Sequence, residues 1–353
     1  MRKLVQVMCR ASQGRVSGAR GAAALLALLA PLALLGLSAL GAARSFASHV
    51  VRTEVWAFTG PWDPASDASL GRHAGDLDVA ITGWIALDSA TAAPVLPSPY
   101  RDAFRPVGAA PARFAIVTSW QGLSFHPSSV RTLGSNPVRL AQAAQRIADA
   151  SRRSGYTGLV LDFEEQTPGD LTRLVAVIRA ITDSAHSHGL SRVAVAVPAA
   201  DTASYPTRAL LAATDLVIPM LYDQHWDTSP PGAISDPSWV RASLAVRLTG
   251  VDRNRIVAGL PTYGYRWPRG RSGEQISYDE ARRGAARGGT RLARDRATET
   301  LHATERNGDQ LWATDAVLLR TLVDVARSLG VDRVSLWRLG QEDPAIWRAG
   351  VLR

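Results

Sequence analysis

The chain has 353 residues, enough for one large domain or two small ones. With 46% hydrophobic and 20% charged residues it can build a core, which excludes a disordered or fibrous chain, and no internal repeat period is visible. The formal charge is +9 and Lys3 is the one lysine, so the basic excess is arginine. Together with abundant alanine this reads as genome composition. The densest basic stretch, residues 282–296, is interrupted by Asp and Gly, so no nucleic-acid face is expected.

The N-terminal region is read first. Arg2, Lys3, Arg10, Arg15 and Arg20 precede an uncharged apolar run over residues 21–43. A basic flank, an apolar run and small residues after it form an export signal. The run exceeds the roughly 7–15 residues of an ordinary signal-peptide core and approaches the ~20 needed to span a bilayer. Residues 1–47 are therefore read as a signal peptide, with cleavage after Ala43 or Ala47, or as an uncleaved signal-anchor. Either places residues 48–353 outside the cytoplasm, in the periplasm or beyond. The single cysteine, Cys9, precedes the apolar run. The rest of the chain thus has no disulfide, thiolate metal cluster or cysteine nucleophile. Seven histidines show no HExxH or similar ligand spacing, which argues against a zinc enzyme.

Beyond residue 50, short apolar runs alternate with longer helical patterns. Strands are expected at 54–59, 77–81, 114–119, 158–164, 193–198, 216–223, 256–261 and 333–339. Helical patterns occupy 137–154, 168–188, 239–248 and 315–329. Gly155, Gly189 and Gly330 follow three of these, as helix-terminating glycines do. Eight strand–helix units in this length fit a (β/α)8 TIM barrel. A doubly wound open sheet is the runner-up, but no GxGxxG follows the first strand. Residues 265–315 break the alternation, and TLHATERNGDQLWAT reads as a hairpin turned at Asn307-Gly308. That segment is taken as a small insertion after strand seven, at the rim of the barrel's C-terminal face.

Strand four, GLVLDFEEQ, carries the most suggestive residues. Alternation places Val160, Asp162 and Glu164 on one face and Leu159, Leu161 and Phe163 on the other. The apolar set suits the helices, so the carboxylates point into the barrel near its mouth. Two acids in one cleft can have their pKa values pushed apart, leaving one protonated at neutral pH. A salt-bridged or capping pair is the competing structural reading. On strand six, Ile218, Met220 and Tyr222 share a face, and Tyr222 and Asp223 reach the mouth. Trp62, Trp84, Trp120 and Trp226 are expected at or just beyond the ends of strands one, two, three and six, where several indoles would suit flat sugar faces. Trp337, inside strand eight, is either core filler or part of that site.

These motifs resemble glycoside hydrolase family 18, the chitinase-like barrels. The family's DGxDxDxE corresponds to TGLVLDFE, with Gly158, Asp162 and Glu164 matching. Its MxYD corresponds to Met220, Leu221, Tyr222 and Asp223; its GxPxYGxxW resembles GLPTYGYRW at 259–267; and its floor tryptophan matches Trp337. The segments YDQHWDTSPPG and WRLGQEDPAIW are similar to a bacterial branch often fused to glycosyltransferase and polysaccharide deacetylase domains. Two positions depart from the motif: Thr157 and Val160 stand where the family has aspartates.

The resemblance implies an enzyme in which the substrate's own acetamido oxygen is the nucleophile and no metal or organic cofactor is needed. Glu164 would be the acid and base, and Asp162 would orient the acetamido group and stabilise the oxazolinium ion. Tyr222, with Asp223, would hydrogen-bond that group. Trp337 and Met220 would line the pocket, with Trp62 and Trp226 at the rim. The implied partner is an N-acetylated polysaccharide or peptidoglycan. The alternatives are a non-catalytic, lectin-like barrel at the cell envelope and a membrane-bound assembly factor using the N-terminal segment.

Overall fold

The computed structural model describes residues 52–95 and 111–353. The expected signal or anchor, and its boundary at residue 47, lie outside the described residues. Among the described residues no helix is long and apolar enough to cross a membrane.

Eight parallel strands close a barrel: β1 (Glu54–Phe58), β2 (Val79–Leu87), β3 (Ala112–Thr118), β4 (Gly158–Asp162), β5 (Arg192–Pro198), β6 (Leu216–Met220), β7 (Ala258–Pro261) and β8 (Arg333–Trp337). Each pairs with its sequence neighbour, and β1 pairs with both β2 and β8, which rules out an open sheet. The alternation read on strand four holds. Val160 joins Trp56, Ile81, Phe114, Ile116, Ala194 and Ile218 inside the barrel. Leu159, Leu161 and Phe163 pack outward among helix residues such as Leu140, Ile147 and Ile178.

The helices are α1 (Pro64–His73), α2 (Pro127–Gly134), α3 (Pro137–Arg153), α4 (Leu171–Ser187), α5 (Thr207–Leu211), α6 (Pro237–Arg247), α7 (Tyr278–Arg287) and α8 (Ala316–Ser328). α6 starts two residues before the expected 239 because Asp236 caps it: its carboxylate accepts from Trp239 N, and Pro237 occupies the first turn, where a missing N–H does no harm.

Strand two differs most from expectation, running to Leu87 rather than ending at 81. Its pairing with β3 slips between Ile81 and Gly83. Gly83 is the strand-interior glycine of this bulge. A Cβ there would sit 2.6 Å from the Tyr156 ring. The extra residue shifts the alternation, so Trp84 lies inside the barrel with Val79 and Ile81. Trp84 is therefore a buried strand residue and not, as expected, a rim residue beyond the strand end.

Between β7 and β8 the expected Asn307-Gly308 hairpin is present, joining Leu301–Thr304 to Gln310–Ala313. It belongs to a five-stranded antiparallel sheet that also includes Gly264–Trp267, Glu274–Ile276 and Ala293–Arg294. α7 covers one face through Ala285, near Ala303 and Leu311. On the other face Tyr265 and Trp267 pack with Tyr222, Tyr263 and Trp337, so the insertion walls one side of the barrel mouth.

Candidate active site

The site gathers where β3, β4, β6, β7 and β8 end. Thr118 and Asp162 are register partners on β3 and β4. That pairing lets Thr118 Oγ1 donate a 3.0 Å hydrogen bond to Asp162 Oδ2 while accepting one from Trp120 N. Asp162 is buried at the last residue of β4. Glu164 lies two residues further on, half-buried, in the loop rather than in the strand as expected. Glu165 follows in the left-handed region, with φ of 59°. Strand alternation does not reach it, and its side chain is exposed.

β6 ends at Met220, which packs against the barrel interior. Tyr222 and Asp223 follow in the loop. The Tyr222 ring lies nearly parallel to the Trp337 indole, with centroids 6.5 Å apart, and edge-on to Tyr263. Trp337 is itself braced edge-on by Phe58 at 5.2 Å and lies half-buried at the end of β8. Tyr263 OH donates a hydrogen bond to Asp223 Oδ1. Tyr263 was not expected as a site residue, although it lies within GLPTYGYRW on strand seven.

Three carboxyl groups crowd this mouth. Burial raises Asp162 to about 6, against the opposing Thr118 hydrogen bond. Asp223 also rises to about 6: although part of the residue is open to solvent, protein crowds its carboxylate enough to outweigh the Tyr263 hydrogen bond, and the Asp227 charge adds to the effect. Glu164 is pushed well above the usual carboxylate range, first by burial and then by the charges of Asp162, Asp223 and Glu165. Two low-dielectric carboxylates resist ionising together, so Glu164 holds the proton while Asp162 can be ionised at neutral pH. That division gives one group able to donate a proton beside one able to stabilise positive charge.

The rim carries two exposed indoles. Trp62, after β1, is 47% exposed and Trp226, in the loop after β6, is 46% exposed. Trp62 meets Trp84 edge-on at 5.2 Å, and the Arg338 guanidinium lies 5.6 Å from its ring centroid. The Trp226 indole N–H donates to Thr228 Oγ1. Trp120 is half-buried against Phe125, in a short ribbon just past β3. Among the described residues no three His, Cys, Asp or Glu side chains are grouped to hold a metal ion.

Thr118, Tyr205 and Arg247 were not legible as site residues. A threonine in an apolar strand, a tyrosine in a loop and an arginine in a helix carry no spacing that marks them. They become visible only in three dimensions, where Thr118 at the end of β3 bonds Asp162, Tyr205 bonds the main chain on both sides of Glu164, and Arg247 at the end of α6 bonds the Tyr205 carbonyl.

The architecture matches solved structures over nearly the whole described region. A chitinase from Chromobacterium violaceum superposes with a TM-score of 0.73 at 23% identity, covering 85% of this chain and 98% of that one. A class V chitinase from Pseudomonas fluorescens gives 0.75 at 22%, with the same coverage. The chain shares the (β/α)8 barrel fold of these chitinases. The spore cortex-lytic enzyme of Bacillus cereus shares this fold, with a TM-score of 0.73 at 17% identity over 85% of this chain and 74% of that one. By sequence, the chain is 21% identical over 228 residues to an uncharacterised glycosylase of Bacillus subtilis, covering 61% of this chain and 66% of the relative. It is 23% identical over 248 residues to the cortical fragment-lytic enzyme of the same organism, covering 66% of this chain and 58% of the relative. The match thus spans less than two thirds of either relative's length. No family model matches the chain.

Proposed function

We propose that the protein is a glycoside hydrolase that cleaves β-linked polymers containing N-acetylglucosamine, with retention and with the substrate's acetamido group as nucleophile. The observation that carries this reading is the Glu164 carboxyl set two residues beyond the buried Asp162 at the barrel mouth, where the Tyr222 ring and the Trp337 indole lie nearly parallel. The chitinase and cortex-lytic relatives support a chitin-like or peptidoglycan substrate.

In the first step Glu164 donates its proton to the glycosidic oxygen as the bond to the anomeric carbon breaks. The acetamido carbonyl oxygen attacks that carbon from the opposite side and forms an oxazolinium ion, and Asp162 accepts from the acetamido N–H and stabilises the positive charge. Tyr222 hydrogen-bonds the acetamido oxygen. In the second step Glu164, now a carboxylate, takes a proton from water. The oxygen of that water attacks the anomeric carbon and the ring opens, restoring the acetamido group. Trp337 supports the sugar face, and Trp62 and Trp226 extend the surface along the polymer. The apolar run 21–43 fits the same reading, since such polymers lie outside the cytoplasm. A C-terminal reporter tests export, and the mass of the mature chain separates cleavage from anchoring.

The decisive experiment incubates the protein with chitin oligosaccharides, poly-N-acetylglucosamine and peptidoglycan and follows new reducing ends. Cleavage of at least one polymer is expected. In Glu164→Gln it should fall by on the order of 10²-fold or more while sugar binding persists. Binding without cleavage by the unaltered protein would favour the lectin-like alternative.

A further inference from the structure

The turn that carries Glu164 is built around a side chain from a different loop. Phe163 and Gln166 stand at positions i and i+3, where a β-turn ordinarily closes by a direct hydrogen bond from the second N–H to the first carbonyl. Here the phenol of Tyr205 is inserted between them. Its hydroxyl donates to Phe163 O at 2.8 Å and accepts from Gln166 N at 2.9 Å. The two central residues of this propped-open turn are Glu164 and Glu165, and Glu165 takes the left-handed φ of 59° that a residue with a side chain rarely adopts. Gln166 Nε2 adds a third tie by donating to Glu164 O at 3.1 Å.

Tyr205 is itself immobilised. It is 1% exposed. Arg247, equally buried at the end of α6, spreads its guanidinium over the loop after β5, donating to the main-chain oxygens of Pro198, Ala199, Asp201 and Tyr205. A buried guanidinium satisfied by carbonyls holds a loop in one geometry, because each carbonyl that moves leaves a charged donor unpaired. The chain of contacts runs from α6 through Arg247 and Tyr205 to the main chain on both sides of Glu164.

We propose that Tyr205 is a positioning residue that sets the location of the Glu164 carboxyl by holding this turn open. The proposal rests on the hydrolase reading for its kinetic consequence but not for its structural one. Without the hydroxyl, Phe163 O and Gln166 N can close on each other, and Glu164 shifts relative to the groups that face it: Asp162 on β4, Tyr222 and Asp223 after β6, and Glu165 beside it. A misplacement of about 1 Å can cost on the order of 10²-fold in rate.

The test compares the full chain with Tyr205→Phe, which keeps the ring and removes the bridge. On the cleaved polymer, kcat should fall about 10- to 100-fold with KM nearly unchanged. The alkaline limb of the pH–rate profile should move to lower pH as Glu164 leaves the crowded carboxylates. The Glu164 carboxyl carbon, followed by NMR with labelled glutamate and assigned by its loss in Glu164→Gln, should titrate at lower pH in the variant. This readout needs no activity, so it tests the clasp even if no polymer is cleaved, an outcome that would count against the hydrolase reading alone. A folded Tyr205→Phe protein with unchanged kcat and an unchanged Glu164 titration overturns the proposal. If Tyr205→Phe does not fold, Arg247→Lys, which loosens the loop that fixes Tyr205, should shift the same titration in the same direction; no shift there overturns the proposal as well.

Discussion

Thr118 and Asp162 sit opposite one another on adjacent barrel strands, joined by a 3.0 Å hydrogen bond that favours the ionised form of a buried carboxylate. Burial works against it and holds Asp162 near 6. In the proposed mechanism Asp162 must be ionised to stabilise the oxazolinium ion, so the acid limb of the pH–rate profile should fall near that value. Thr118→Val removes a hydrogen bond to a charged group, about 1.5–3 kcal/mol, and should move the limb up by roughly one to two units. Thr118→Ser keeps the hydroxyl and should leave it in place. An unmoved limb in Thr118→Val would show that Asp162 does not set it.

Asp162 also carries a stability signature. Its folded pKa lies above its ordinary value of 3.8, so between roughly pH 4 and pH 6 the folded chain binds more protons than the unfolded one. Stability from this group is greatest at low pH and is lost as pH rises through about 6. Asp162→Asn removes the buried charge and can still accept from Thr118. The variant should therefore be more stable than the unaltered protein at pH 7, by about 1–3 kcal/mol, and similar to it near pH 4. Thermal melts of both proteins at the two pH values check this, and an advantage that does not depend on pH would refute it.

The departure from the family motif at Val160 has a structural counterpart. Val160 is buried, with Ile116 and Ala194 as its neighbours in register on β3 and β5. Its in-register neighbours are thus apolar and offer a second aspartate no side-chain hydrogen bond. Val160→Asp should destabilise the protein at pH 7 by about 2 kcal/mol or more, less at pH 5, without raising activity. Denaturant unfolding at both pH values checks the sign. An active, fully stable variant would mean that the interior accommodates the carboxylate pair.

The sequence carried the barrel and the level of the site because both rest on local patterns. The two-residue alternation of GLVLDFE places Val160 and Asp162 inside, and the Asn307-Gly308 turn marks the hairpin of the insertion. Two kinds of information were out of reach. Gly83 hides a bulge that reverses the alternation in mid-strand and carries Trp84 from the rim to the interior. Tyr205 and Arg247 act through main-chain atoms 39 or more residues away, and such partners leave no periodic trace. α7 was missed for a third reason: its apolar stripe consists of Ala281, Gly284 and Ala285 among arginines, too thin to register as an amphipathic face.

The final prediction follows from the nucleophile. If the acetamido oxygen attacks the anomeric carbon, the sugar on the non-reducing side of the cut must be N-acetylated, because a free amine has no carbonyl oxygen with which to form the oxazolinium ion. Tyr222 and Asp162 would also lose the group they hold, leaving buried polar atoms unpaired at about 1–3 kcal/mol each. A fully deacetylated polymer should therefore resist cleavage, and a partly acetylated one should be cut only after acetylated units. A two-carboxylate mechanism, with Asp162 or Glu165 as the nucleophile, would tolerate the amine. Sequencing the new reducing ends released from a partly deacetylated polymer separates the two. Acetylated sugars at every new end are expected. Glucosamine there in proportion to its abundance would exclude substrate assistance and, with it, the role assigned to Asp162.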